Sequence, residues 1–431
     1  MSKPDELFGD MFDFNAVKTI STENRFSNGA FDSDVDNFIH PTFYDPKIGT
    51  FIFMGGNPST GTSIEETQFL VTDNDWELSL GFGKTIGNYY LGVYYGGSLL
   101  SGEGTVTGDP DMSTYELTWT NSIAVLFGTA GMGLRLDLIT SYEGTNTEDE
   151  ATYEKSKLVD QSVINAPTLA LSFGTTIGGS SSEEEGGGGG GIPIWATLGF
   201  RFPEYEFMTY GDDTVTTLGD HALGLIVGAS IDLDETSSIL GEVTIGTLFG
   251  DFTTSTASGS KDHTAAGGIF GINIYAEYQK ALKFGEKATV KLTPHIIIDS
   301  YTISGKDSDS NVTNTDDITY FAIIPGINVG LEYKHDKIAL YSGFGFRFLD
   351  YRTTVIKKNS QWWLGGMEWE SSTLTAEGNL GLGVTFAPVD NLIFGAGLST
   401  EVIKFNLKTM NVSPGDGLSD VSLDLTVSYK Y

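Results

Sequence analysis

The last eleven residues, Val421 to Tyr431, alternate without interruption. Val421, Leu423, Leu425, Val427, Tyr429 and Tyr431 fall on one side, and Ser422, Asp424, Thr426, Ser428 and Lys430 on the other. Successive side chains of an extended strand point to opposite faces, so this period predicts a strand that is oily on one face and polar on the other. Such a face needs cover, either a second layer of protein or the hydrocarbon of a bilayer. Because the same alternation recurs through most of the chain, the choice of cover decides the whole fold.

From about Asp75 onward, alternating segments are joined by connections of two unequal kinds. Trp76, Leu78, Leu80 and Phe82 alternate with Glu77, Ser79, Gly81 and Gly83, and after Lys84 to Asn88 the pattern restarts as Tyr89, Leu91, Val93 and Tyr95. This predicts a hairpin. Comparable short connections stand at Gly128 to Gly131, Asp234 to Ser237, Ala281 to Lys287, Lys334 to Asp336 and Pro388 to Asn391. Longer polar stretches lie between the hairpins and read as loops: Ser101 to Asp111, Glu143 to Gln161, Gly211 to Gly219, Thr253 to Thr264, Gly305 to Asp316, Thr353 to Met367 and Thr409 to Asp420. With Gly49 to Gly55 as the first segment, the pattern predicts about sixteen strands, or fourteen if the weakest are discounted. The glycine run Gly186 to Gly191 falls on the short-turn side, where so long a connection is out of character. Residues 1 to 46 lack the alternation and read as a periplasmic extension or plug; residues 47 to 431 read as the barrel domain.

Short turns on one side, long loops on the other, and the aromatic-ended strand Val421 to Tyr431 resemble bacterial outer-membrane porin-like β-barrels. Phe82, Tyr89, Phe127, Tyr278, Tyr333, Phe386 and Tyr431 all stand on the apolar face beside short turns, where an interfacial girdle of such a barrel lies. The resemblance implies an all-β, antiparallel, up-and-down transmembrane barrel in the outer membrane of a Gram-negative bacterium. It also implies passive diffusion of small hydrophilic solutes, contact with outer-membrane lipid, insertion by the outer-membrane assembly machinery and often a homotrimer. In that comparison Val427, Tyr429 and Tyr431 carry the assembly signal.

Composition agrees and removes other classes. Mean hydropathy is −0.07 and the longest apolar runs, such as Ile123 to Phe127, fall far short of the roughly 18 residues a membrane helix needs. Barrel strands pass such a scan because only alternate residues meet lipid. The net charge of −33 repels nucleic acid and favours cations. With no Cys there are no disulfides or thiolate metal sites. The opening MSKPDELFGD shows no basic start followed by an apolar core, so no signal peptide is visible.

If lipid covers the apolar face, the opposite residues line the lumen. These include Glu77, Glu116, Asp137, Asp232, Glu242, Glu277, Asp299, Glu332, Glu377, Glu401 and Asp424, against Arg135, Arg201, Lys291 and Arg347. A dry core does not hold so many ionisable groups, and about sixteen strands enclose more than their side chains fill, so a water-filled, cation-preferring bore is expected. The basic residues either face carboxylates across a constriction or form ion pairs within the wall.

Five scattered histidines have no metal-ligand spacing, and Asp262 beside His263, or an inward His295, is too little for a catalytic site. No enzyme activity and no cofactor are expected. Acidic loops such as Asp307 to Asp317 carry carboxylates that bind Ca²⁺ at most loosely, since no complete calcium loop is present. The alternatives to a porin are a transporter of hydrophobic molecules resembling fatty-acid transporters with an N-terminal plug, a surface structural or adhesive barrel, and a secreted soluble β-protein.

Overall fold

The computed structural model describes residues 50–58, 63–64, 69–106, 112–129, 132–149, 157–165, 167–178, 191–202, 204–209, 214–256, 263–309, 312–359, 367–389, 391–406, 411–414 and 422–430. The expected N-terminal segment, residues 1–46, and Tyr431 lie outside them.

All described elements are strands. They are β1 (Thr50–Pro58), β2 (Ser63–Ile64), β3 (Phe69–Ile86), β4 (Tyr89–Val106), β5 (Met112–Thr129), β6 (Met132–Asp149), β7 (Lys157–Asn165), β8 (Thr168–Ile177), β9 (Ile192–Arg201) and β10 (Glu204–Thr209). The second half comprises β11 (Thr214–Asp234), β12 (Ser237–Thr256), β13 (His263–Phe284), β14 (Ala288–Asp309), β15 (Val312–His335), β16 (Ile338–Asn359), β17 (Met367–Val389), β18 (Leu392–Asn406), β19 (Asn411–Pro414) and β20 (Ser422–Lys430).

Every pairing is antiparallel, and consecutive wall strands are neighbours. From β1 the pairing passes to β3 and on through β4, β5 and β6; from β11 it runs strand by strand to β18, then to β20 and back to β1. Between β6 and β11 the wall is interrupted near Pro167: β7 and β8 both pair with β6, and β10 and β9 both pair with β11. Proline has no N–H to give the ladder. Here the Phe202 N–H donates to the Pro167 carbonyl at 2.9 Å and spans the break. Twenty strand segments thus make one sheet in which β7 with β8, and β9 with β10, act as single wall strands, while β2 and β19 flank the wall; the circuit has sixteen positions. Met132 pairs with Thr175 and Ile177 with Ile192, so β8 ends and β9 begins at the short-turn end.

The turns follow from their residues. Gly87 adopts φ 64° between β3 and β4, and Asp336 adopts φ 53° between β15 and β16, the left-handed conformation that glycine takes freely and Asp tolerates. Pro325, also unable to donate, lies where the β15–β16 register shifts between Ile323 and Gly326.

Faces alternate as the sequence predicts, and the oily face has no protein over it. Phe82 is 57% exposed, Trp76 52% and Leu138 52%, with comparable exposure of Tyr89, Phe127, Tyr278, Tyr333 and Phe386. Two stacked sheets would hide these residues; a lipid bilayer is the cover that remains. At the short-turn end Tyr89 stacks on Phe127, and at the other end of the band Trp119 stacks on Tyr142, the paired girdles of a membrane wall.

Several expected loops are strand. Ser101–Val106, Thr253–Thr256, Gly305–Asp309 and Thr353–Asn359 continue the ladders, as do Thr214–Gly219 and Glu143–Asp149. At 24 residues, β15 far exceeds the roughly 9–11 residues a barrel strand needs to cross hydrocarbon. Backbone pairing does not require apolar side chains, so the ladder continues above the oily band through polar sequence.

Candidate functional site

The inner face of the circuit holds the side chains expected to line the bore. Arg135, Asp137, Glu277 and Asp299 are buried there; Glu77, Arg201, Glu242, Lys291, Glu332, Arg347 and Glu377 are half-buried on the same face. Asp232 is exposed near the β11–β12 turn. The side chains of Glu116, Glu401 and Asp424 lie outside the described residues. Val427 and Tyr429 of the proposed assembly signal face outward.

Charges meet within the wall. Arg135 Nε donates to Asp137 Oδ1 at 2.8 Å, and the Arg135 guanidinium lies 6.0 Å from the centre of the Tyr94 ring. Residues two apart on one strand share a face, which is why these two meet. Arg347 and Glu377, paired across β16 and β17, stand 3.9 Å apart. Glu332 is held at 2.6 Å by Lys334 near the turn. Of the two roles open to the basic residues, Arg135 and Arg347 take the ion pair within the wall.

A second inner group is built on β13 and β14. Glu277 accepts hydrogen bonds from Tyr275 Oη at 2.6 Å and Gln279 Nε2 at 2.5 Å. His295, in register with Glu277, stacks on the Tyr275 ring with centroids 6.2 Å apart. On β8 and β9, Ser172 and Thr197 are hydrogen-bonded to each other at 2.8 Å. Among the described residues, no group of three or more His, Asp or Glu side chains is placed to hold a metal ion.

The polar and ionisable side chains expected from sequence share the inner face with apolar ones. Bulky Tyr94, Leu126, Ile139, Trp195, Ile226, Tyr275, Ile297, Tyr301, Tyr320, Ile324 and Tyr341 also point inward and are buried. Ile226, Tyr275, Ile297, Tyr301, Tyr320 and Ile324 join Ala170, Ala222 and Ala322 in one apolar cluster. Even small side chains are covered: Ala124 and Ala322 are each 0% exposed. The physical reason is that large inner side chains lie sideways along the wall. A Cβ on Gly83 would fall 1.9 Å from Tyr90 Oη, one on Gly228 2.3 Å from the Trp195 ring, and one on Gly326 2.5 Å from His295 Nε2. Each ring covers a glycine of the next strand. The signal for these residues was in the sequence, since Tyr275 keeps the phase of Asn273 and Glu277, and Ile297 that of His295 and Asp299.

No family model and no curated protein matches the chain. Among solved structures it is similar to a bacterial polysaccharide outer-membrane secretin, at 9% identity over 90% of this chain and 100% of that one, with a TM-score of 0.39. It is also similar to the CymD monoaromatic hydrocarbon channel, at 13% identity over 97% and 98% of the two chains, TM-score 0.38. The Ralstonia pickettii toluene transporter TbuX matches at 12% identity over 96% and 99%, TM-score 0.36. Likeness at this level says nothing of cargo. The antiparallel circuit and its oily outside stand without it: the chain has the architecture of a membrane-spanning β-barrel.

Proposed function

We propose that the protein is an outer-membrane channel through which small solutes diffuse, with cations and uncharged solutes favoured over anions. The observation that supports this most is the division of the wall, lipid-facing outside and ionisable inside. Inward carboxylates Glu77, Asp137, Glu242, Glu277, Asp299, Glu332 and Glu377 outnumber inward Arg135, Arg201, Lys291 and Arg347 among the described residues, which gives the interior a negative potential. The covered inner glycines and alanines make the route narrower than an open cylinder of this strand number. The reading assigns no catalytic step and no cofactor. Its partners are outer-membrane lipid and the assembly machinery that would take up the closing strand, with a homotrimer as the proposed assembly.

A second reading, passage of hydrophobic molecules, is favoured by the inward cluster around Tyr275, Ile297, Tyr301 and Tyr320, because apolar ligands need an apolar lining. Liposome swelling separates the two. Vesicles carrying the protein should swell in an isotonic uncharged pentose and more slowly in a monoanionic sugar acid of similar size. Vesicles that do not swell in either but admit a small aromatic hydrocarbon would replace the first reading with the second.

A further inference from the structure

One inner side chain is placed to set the width of the route. Across the wall in register run Tyr90, Gly128, Gly133, Gly174, Trp195, Gly228, Glu242 and Tyr275. Between Gly128 and Gly228 in this row Trp195 is therefore the one large side chain among glycines, with Gly174 on one neighbouring strand and Gly228 on the other. Its indole lies over Gly228: a Cβ at that position would meet Cε2 and Cζ2 at 2.3 Å and Nε1 at 2.6 Å. Beyond the glycine, Nε1 donates to Glu242 Oε2 at 3.1 Å. The ring thus spans from β9 across β11 to β12, and Trp195 is only 6% exposed despite facing inward. Aromatic strands usually stack neighbours on the same face; here the neighbour is a hydrogen atom, and the ring occupies the space a side chain would take.

We propose that Trp195 is an aperture leaf of the channel, that Gly228 is the seat that lets it lie flat, and that Glu242 holds its far edge. Restoring a side chain at residue 228 would lift the indole off the wall and into the bore, and breaking the bond to Glu242 would leave its edge free. The pair therefore determines which solutes pass by size. This rests on the channel reading and adds a specificity-determining residue to it. The orientation of the leaf follows from the hydrogen bond, since the indole N–H is a donor only and Glu242 Oε2 accepts it.

Single-channel conductance of refolded protein in planar bilayers tests the proposal, with heat-modifiable gel migration confirming that each variant is folded. Trp195→Ala should raise conductance, because the ring that covers this stretch of the inner face is removed and pore diameter governs passage. Gly228→Val should lower it, and the double variant Gly228→Val with Trp195→Ala should recover at least the wild-type value. Trp195→Phe should give intermediate conductance with added open-state noise. If Trp195→Ala conducts as wild type does, or if the double variant stays as low as Gly228→Val alone, the leaf assignment is wrong while the channel remains. A wild-type protein that does not conduct would remove both. Should Gly228→Val not fold, Trp195→Ala and Trp195→Phe still decide.

Discussion

Arg135 and Asp137 show how a charge survives in this wall. Both are buried, and each is the other's partner through the 2.8 Å Nε–Oδ1 bond, with the Tyr94 ring nearby. Removing Asp137 takes this charged hydrogen bond from a buried guanidinium, so Asp137→Ala should cost about 3–5 kcal/mol, measured as a lower urea midpoint in lipid vesicles. Asp234 is the opposite case, fully exposed where β11 turns into β12. Hydrogen bonds from Ser237 and from Thr236, whose N and Oγ1 both stand at 2.7 Å, hold its carboxyl well below the usual carboxylate range. A carboxyl lowered in the folded state adds stability above its unfolded value, near 3.9, and loses it as pH falls toward the folded value. The midpoint difference between wild type and Asp234→Ala should therefore be full at pH 6 and shrink steadily below pH 4. Residues like these were partly legible in sequence. The alternation placed Arg135 and Asp137 inward, but sorting residues by polarity rather than by phase passed over Trp195, Tyr275 and Ile297, which share that face.

Strand β6 carries the depth argument. Its outward Leu136 and Leu138 are exposed and lie between the Tyr89–Phe127 and Trp119–Tyr142 girdles. An arginine at Leu136 should cost about 2–4 kcal/mol of folding free energy into bilayers, whereas Ile86→Arg beside the turn should cost about 0–1. Equal costs at the two depths would argue against a lipid-facing wall. Elements were the most legible level of this chain, because a period of two cannot be satisfied by a helix and each short turn resets it. Their lengths were not legible. Segments such as Thr353–Asn359 and Gly305–Asp309 look like loops by composition, yet antiparallel partners extend the ladder wherever backbone groups can pair.

At the scale of the molecule, closure is what makes the wall stable in lipid, since an open edge would leave unpaired N–H and C=O groups in hydrocarbon. The β1–β20 pairing, from Phe51 opposite Lys430 to Gly56 opposite Leu425, is the seam. Deleting Ser422–Lys430 should abolish the heat-modifiable folded band, whereas conservative changes at exposed Tyr429 should slow assembly and leave the band's final position unchanged. Sequence made the closing strand visible but left the filling of the interior hidden, because covering of the inner wall depends on which ring falls opposite which glycine, a matter of register between strands. The central claim is that one wall separates lipid outside from a negatively biased solute path inside. Reversal potential in planar bilayers under a KCl gradient tests it most directly: the account predicts a measurable conductance with the reversal potential displaced toward that of K⁺, and displacement toward Cl⁻, or no conductance from folded protein, would contradict it.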